Sequence, residues 1–242
     1  MDRLRSVVFT VFLFAWTLCF AIFFVIAGVM RDFPQRTRLV QIYARVILEM
    51  LRRLCRLDYT VEGLEHLPAG AHVAYWKHSS SWETFAQFLI GPPKAIVLKR
   101  ELMWIPIFGW GLALIRSIPV DRGAGASAVN QVVQRGTTLL SEGTSVLIFP
   151  EGTRVAPGET RRYGVSGALL ASRARCKVVP IAHDAGYYWP RRGWYKRAGT
   201  IRVIIGPPIE AAGRDPREIN AEAQAWIETT LERLPREQPP SG

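Results

Sequence analysis

Val73-Ala74-Tyr75-Trp76-Lys77-His78-Ser79-Ser80-Ser81-Trp82-Glu83 passes from an apolar run through a serine cluster to a carboxylate. The apolar, aromatic start reads as a buried strand, and a serine of 79–81 can cap the free N–H groups of a following helix. Inside one helix, side chains five positions apart are rotated by about 500° and face different ways. With His78 outside the helix and Glu83 in its first turns, the carboxylate reaches back to the imidazole. Glu83 then fixes the histidine tautomer and stabilises the imidazolium, and His78 becomes a general base for an alcohol. No Gly-x-Ser-x-Gly elbow surrounds the serines, so they read as caps and not as nucleophiles.

The same alternation continues outward. Runs near 94–98, 146–149, 178–183 and 200–205 are rich in Val, Ile and aromatics and read as further strands. Stretches 81–90, 124–141 and 164–175 carry helical patterns, with Gly143 as a stop for the middle one. Residues 215–234 form a last helix with Pro216 near its start. Strands alternating with helices predict an α/β fold, a mixed sheet flanked by helices. With no repeat or long linker, the expected organisation is an N-terminal helical part at 1–57, one α/β domain at 58–235 and a polar, flexible tail at 236–242.

Residues 6–30 contain no charge. As a helix they would be about 37 Å long, enough to cross a hydrocarbon layer of about 30 Å. The run is too long for the core of a signal peptide, so a retained membrane helix is expected. Arginines flank both ends and give little orientation. Next, Leu39, Ile42, Tyr43, Val46, Ile47, Met50, Leu51 and Leu54 recur at three-and-four spacing opposite Arg38, Gln41, Arg45, Arg52 and Arg56. This amphipathic helix, 38–57, has two readings: lying at headgroup level, or packing on the soluble domain.

The net charge of +11 favours a polyanionic partner. Eight tryptophans and the apolar N-terminus point to a lipid bilayer containing anionic phospholipid; no zinc-finger spacing or RNP signature points to nucleic acid. Cys19, Cys55 and Cys176 form no Cys-x-x-Cys pair, so neither a metal site nor a disulfide framework is indicated.

Three more blocks carry chemistry. Lys99 and Arg100 follow Ile96-Val97-Leu98, either as a solvated rim or as a phosphate grip, and run through Glu101 to Pro106-Ile107-Phe108-Gly109. Phe149-Pro150-Glu151-Gly152-Thr153-Arg154 combines a glycine turn, a hydroxyl and a guanidinium able to fork onto phosphate. Glu151 would be repelled by phosphate and is expected to position Arg154 or a backbone amide. Val179-Pro180-Ile181-Ala182-His183 completes the set, with His183 read as structural or supporting. Basic residues Arg191, Arg192, Lys196 and Arg197 among Trp189, Trp194 and Tyr195 suit either headgroup contact or a solvated loop.

In this order and spacing the four blocks resemble the lysophosphatidic acid acyltransferases, bacterial membrane enzymes that acylate 1-acylglycerol-3-phosphate. The resemblance covers about residues 60 to 210. It implies a glycerolipid acyltransferase-like domain behind a two-helix membrane-embedded motif, at the cytoplasmic face of the bacterial inner membrane. Whether residues 6–30 cross the bilayer or enter one leaflet stays open. The resemblance also implies a His78–Glu83 dyad and binding of the lysophosphatidic acid head by Glu151, Gly152, Thr153 and Arg154, with Lys99 and Arg100 contributing. Val179, Pro180 and Ile181 would line the acyl-donor site. Acyl-CoA or acyl-carrier protein would be co-substrate, with no metal or other cofactor. The family usually carries aspartate where this chain has Glu83, so the backbone must shift to keep the hydrogen bond. An acyltransferase for another lyso-lipid would share the dyad but gain little from Arg154, and a lipid-binding scaffold would need neither.

Overall fold

The computed structural model describes residues 2–191 and 194–234. Arg192 and the tail expected at 236–242 lie outside the described residues. Helix α1 (Asp2–Val29) is followed by α2 (Phe33–Cys55), whose start is fixed by Asp32 accepting the Gln35 N–H and by Pro34 in the first turn. Arg56 takes a left-handed backbone, φ 54°, and ends α2, so Leu57 opens β1 (Leu57–Glu62) instead of closing the helix. Then come β2 (Val73–Trp76), α3 (Glu83–Ala86), β3 (Lys94–Lys99), α4 (Phe108–Leu114), β4 (Ile118–Val120) and α5 (Ala126–Ser141). The chain continues through β5 (Ser145–Ile148), α6 (Ser166–Ala174), β6 (Lys177–His183), α7 (Ala185–Tyr188), β7 (Gly199–Ile205) and β8 (Ile209–Glu210) to α8 (Pro216–Arg233).

The sheet order is β1-β7-β6-β2-β5-β3-β4, with β8 beside β6. Strands β6, β2, β5, β3 and β4 are mutually parallel, while β7 and β8 run antiparallel to β6. The mixed sheet flanked by helices is therefore present. Helix α3 is shorter than the 81–90 pattern predicts, although hydrogen-bonded turns continue through Ile90. Helix α5 stops as expected: Gly143 takes φ 80° and donates to Leu140 O. Strands β1, β4 and β8 are short or lie off the central strands and carried no signal in the sequence reading.

Two-residue alternation divides the core. Ala74, Trp76, Leu147, Val179 and Ile181 pack on the face covered by α1, α2 and α3. Val73, Tyr75, Val146, Ile148 and Val178 pack on the other face, beneath α5, α6 and α8. Continuing that alternation sends His78 to the α1–α3 side and Lys77 to the α8 side.

Helix α1 is long and apolar enough to cross a membrane. One side packs on the domain: Phe9 meets Trp189 edge-on at 5.5 Å, and Phe20 stacks on Tyr43 of α2 at 4.5 Å. The other side leaves Val7, Val11, Phe14, Leu18, Ile22, Ile26 and Val29 exposed, three or four positions apart. Helix α2 follows the packing reading. Val40, Tyr43, Ala44, Ile47, Leu48 and Leu51 are buried inside the protein, while Arg38, Arg45, Arg52 and Arg53 stay at the surface.

The fit of α6 on β2 is tight. A Cβ on Gly167 would come within 2.3 Å of the buried Tyr75 ring, whose hydroxyl donates to Asn220 Oδ1 at 2.8 Å. Gly167→Ala should therefore cost about 1–3 kcal/mol by overpacking, more than its gain in helix propensity. Denaturation in detergent should show a lower midpoint for this variant than for the wild type.

Candidate active site

Parallel strands place the chemistry-bearing blocks on one edge of the sheet. Strands β2, β5, β3 and β6 all end there, delivering His78, Glu151–Arg154, Lys99–Arg100 and His183. Ligands of open α/β sheets bind outside such carboxyl ends, most often where the strand order reverses. Here the chain reverses around β2, since β3 to β5 lie on one side of it and β6 and β7 on the other.

His78 follows β2 and Glu83 opens α3. His78 Nδ1 lies 2.9 Å from Glu83 Oε1, and the same oxygen accepts the N–H groups of Ser79 (3.0 Å) and Ser80 (2.8 Å). Ser80 Oγ in turn accepts the Trp82 N–H and donates to Trp189 O. The serines do not cap the helix as the sequence suggests: α3 starts at Glu83 directly after Trp82 and has no side-chain cap, and Glu83 reaches back to the loop amides instead. Glu83 is wholly buried. Burial works against its charge, but His78, His183 and the Ser80 amide outweigh it and hold its carboxyl below the usual range. Its second oxygen lies 4.0 Å from His183 Nε2 and takes no hydrogen bond among the described residues. His183 is itself buried, which pushes its pKa down, and it bonds as a neutral ring. Nε2–H donates to Lys77 O, and Nδ1 accepts from the Ala185 N–H.

With Nδ1 committed to Glu83, Nε2 is the ring nitrogen of His78 that this carboxylate leaves unengaged. The His78 side chain keeps 11% exposure, and its ring stacks on Phe149 at 4.0 Å. Two bonds tie its backbone to the Phe149–Arg154 block and the residue after it: the His78 N–H donates to Glu151 Oε2 at 3.1 Å, and His78 O accepts from Val155 N–H at 2.7 Å. Glu151 therefore binds a backbone amide, and that amide belongs to His78; Arg154 is not its partner. Its side chain has no exposure and pairs with Lys77 Nζ at 3.0 Å, so it presents nothing to a bound lipid. Burial pushes its carboxyl up to about 7 against the pull of Lys77.

Gly152, at φ 68°, turns the chain, and its Cβ position is open space. Arg154 is half-buried, and its Nε is buried without an acceptor among the described residues. Lys99 and Arg100 share the edge two strands away, about 10 Å along the sheet at ordinary strand spacing. Both are exposed and already paired, Lys99 with Glu101 at 3.0 Å and Arg100 with Asp121 at 2.8 Å. Val179, Pro180 and Ile181 lie in the buried centre of the sheet, level with Ala74, Tyr75 and Trp76. They present no open wall to an acyl donor. Instead Ile181 O accepts the Lys77 N–H and holds the end of β2. Lys77 itself escaped the sequence reading. Its signal was a lone charge closing a strand that is otherwise apolar.

Residues 58–184 match the family model described as Acyltransferase. The chain belongs to that acyltransferase family. It is 41% identical, over 96% of its length and 91% of the relative's, to a 1-acyl-sn-glycerol-3-phosphate acyltransferase of Pseudomonas aeruginosa. A Limnanthes alba protein of the same description is 25% identical over 86% of this chain and 74% of its own. Among solved structures, the 1-acyl-sn-glycerophosphate (LPA) acyltransferase PlsC from Thermotoga maritima superposes with a TM-score of 0.79. That likeness spans 97% of this chain and 98% of the other at 19% identity, and concerns the fold.

Two buried carboxylates of this acyltransferase, Glu83 and Glu151, are shifted in opposite directions. Glu83 is held below its ordinary 4.5, so the stability it contributes is present above that pH and is lost as pH falls through its folded value. Glu151 is raised from 4.5 to about 7, so its contribution is full below 4.5 and is lost as pH rises through about 7. Melting curves of Glu151→Gln should decline less than wild type between about pH 5 and 8, and those of Glu83→Gln less below pH 4.5. Parallel pH profiles for all three proteins would contradict both assignments.

Proposed function

We propose that this chain transfers an acyl group from acyl-CoA or acyl-carrier protein to the sn-2 hydroxyl of 1-acylglycerol-3-phosphate, forming phosphatidic acid. One observation carries the reading. Glu83 occupies His78 Nδ1 and leaves Nε2 as a base, beside a turn whose arginine has a buried Nε without an acceptor among the described residues. His78 Nε2 takes the hydroxyl proton as the oxygen attacks the thioester carbonyl. The tetrahedral adduct collapses, the C–S bond breaks, and the imidazolium returns its proton to the departing thiolate. Glu83 stabilises the imidazolium between these steps. No covalent acyl-enzyme forms and no step draws on a metal or other cofactor.

Arg154 grips the phosphate, with Gly152 and Thr153 shaping the turn around it. That contact converts the attack on the thioester into a positioned one. Lys99 and Arg100 exchange their carboxylate partners for donor or acceptor phosphates at the rim. The exposed stripe of α1 lies in the bilayer, where the lysophospholipid resides, and anionic headgroups meet the arginines that α2 leaves at the surface. Because α1 packs lengthwise on the domain, insertion into one leaflet fits better than a free-standing crossing. A thioester donor made inside the cell supports a position at the cytoplasmic face of the inner membrane.

The test follows thiol release from acyl-CoA by protein in lipid, with and without 1-acylglycerol-3-phosphate. His78→Ala should lower kcat by about 10²–10⁴-fold in a folded protein. Arg154→Ala should chiefly raise KM for the phosphate-bearing acceptor. Better turnover of a lyso-lipid without phosphate, insensitive to Arg154→Ala, would move the assignment to that acceptor. Wild-type-like turnover by His78→Ala would defeat the mechanism.

A further inference from the structure

Lys77 closes β2 with its side chain on the α8 side of the sheet, only 3% exposed. Its Nζ lies 3.0 Å from Glu151 Oε1 and 3.1 Å from Glu228 Oε1. Taking an ammonium out of water costs several kcal/mol, and a whole buried ion pair exchanged for apolar residues of similar volume is often neutral or stabilising. Packing alone therefore gives no reason for a lysine here. What the ammonium does locally is to face a carboxylate whose other oxygen binds the peptide of the candidate base.

Glu151 spans the two faces of the sheet edge. Oε1 meets Lys77 on the α8 side, and Oε2 accepts the His78 N–H. Together with the Val155 N–H to His78 O bond and the Phe149 ring, this clips His78 to the turn that carries Arg154. A charged acceptor holds an N–H about twice as strongly as a neutral one. Burial pulls Glu151 toward its protonated form and Lys77 pulls it toward the charged one; among the described residues the groups facing it are Lys77, Glu228, the Tyr163 hydroxyl and the His78 amide. Lys77 is the sole cation among them.

We propose that Lys77 is a positioning residue for the acyl transfer: by pairing with Glu151 it keeps the His78 base and the Arg154 turn in one register. Lys77 touches neither substrate nor the imidazole, and acts only through Glu151. The proposal rests on the reading of His78 as the base. Room for a conservative replacement exists, because a cavity of about 120 Å³ lined by Lys77, Glu228, Ser79 and His183 adjoins the ammonium.

The experiment compares Lys77→Met, Lys77→Arg, Glu151→Gln and the Lys77→Met/Glu151→Gln double variant as full-length protein in lipid. Thiol-release kinetics are paired with hydrogen–deuterium exchange of the peptide spanning His78. Lys77→Met should lower kcat about tenfold with KM for lysophosphatidate changed less than about twofold, and should speed exchange of the His78 amide. Lys77→Arg should retain kcat within about threefold and keep the amide protected. The double variant should be no slower than Glu151→Gln, since Lys77 has nothing left to act through. Wild-type kcat and exchange in Lys77→Met would overturn the proposal, as would a rise in KM alone, or losses that multiply in the double variant. The exchange arm needs no substrate: if the wild type fails to turn over, the functional reading falls while the link from Lys77 to His78 is still decided. If Lys77→Met does not fold, Lys77→Arg and Glu151→Gln decide it, because unequal exchange of their His78 amides is required.

Discussion

A carboxylate shut away from water stays ionised only where enough donors converge on it, and Glu83 gathers three on one oxygen. Two are the Ser79 and Ser80 amides, which fix the chain between β2 and α3; the third is His78 Nδ1. The same atom thus ties down the loop ahead of α3 and holds the His78 ring by Nδ1. Everything else at the sheet edge is arranged around that anion. Phe149 supports the ring, Glu151 and Val155 hold the peptide, and Ser80 ties the loop to Trp189, against which Phe9 of α1 packs.

Glutamate in place of the family's usual aspartate follows from this geometry. From the first residue of α3 the carboxylate must reach back to amides three and four positions earlier. Here the extra methylene lets one oxygen reach two amides and the imidazole together.

The alternation of apolar runs and helical patterns made the central strands legible, because a parallel sheet buried on both faces needs continuous Val, Ile and Leu. It missed β4, three residues with a proline, and β1, which follows α2 with a single left-handed residue between them. The dyad was legible because its partners are close in sequence. Glu151 was half legible: its dislike of phosphate left Arg154 or a backbone amide as its partner, but the amide's owner follows a strand far away in the chain. Lys77 and Glu228 were invisible for the same reason, since α8 reaches β2 only in three dimensions. The amphipathic pattern of 38–57, with its arginine face, spoke first for the headgroup level, but its apolar side is buried against α1 and the sheet.

The central claim is that Glu83 presets His78 with its proton on Nδ1 and a bare Nε2. Nitrogen-15 NMR of histidine-labelled protein reads this directly, and only four histidines need assignment. As a neutral ring, His78 should show a protonated Nδ1 and an unprotonated Nε2, and Glu83→Gln should disturb that pattern. A His78 ring carrying its proton on Nε2, or one indifferent to Glu83→Gln, would contradict the account.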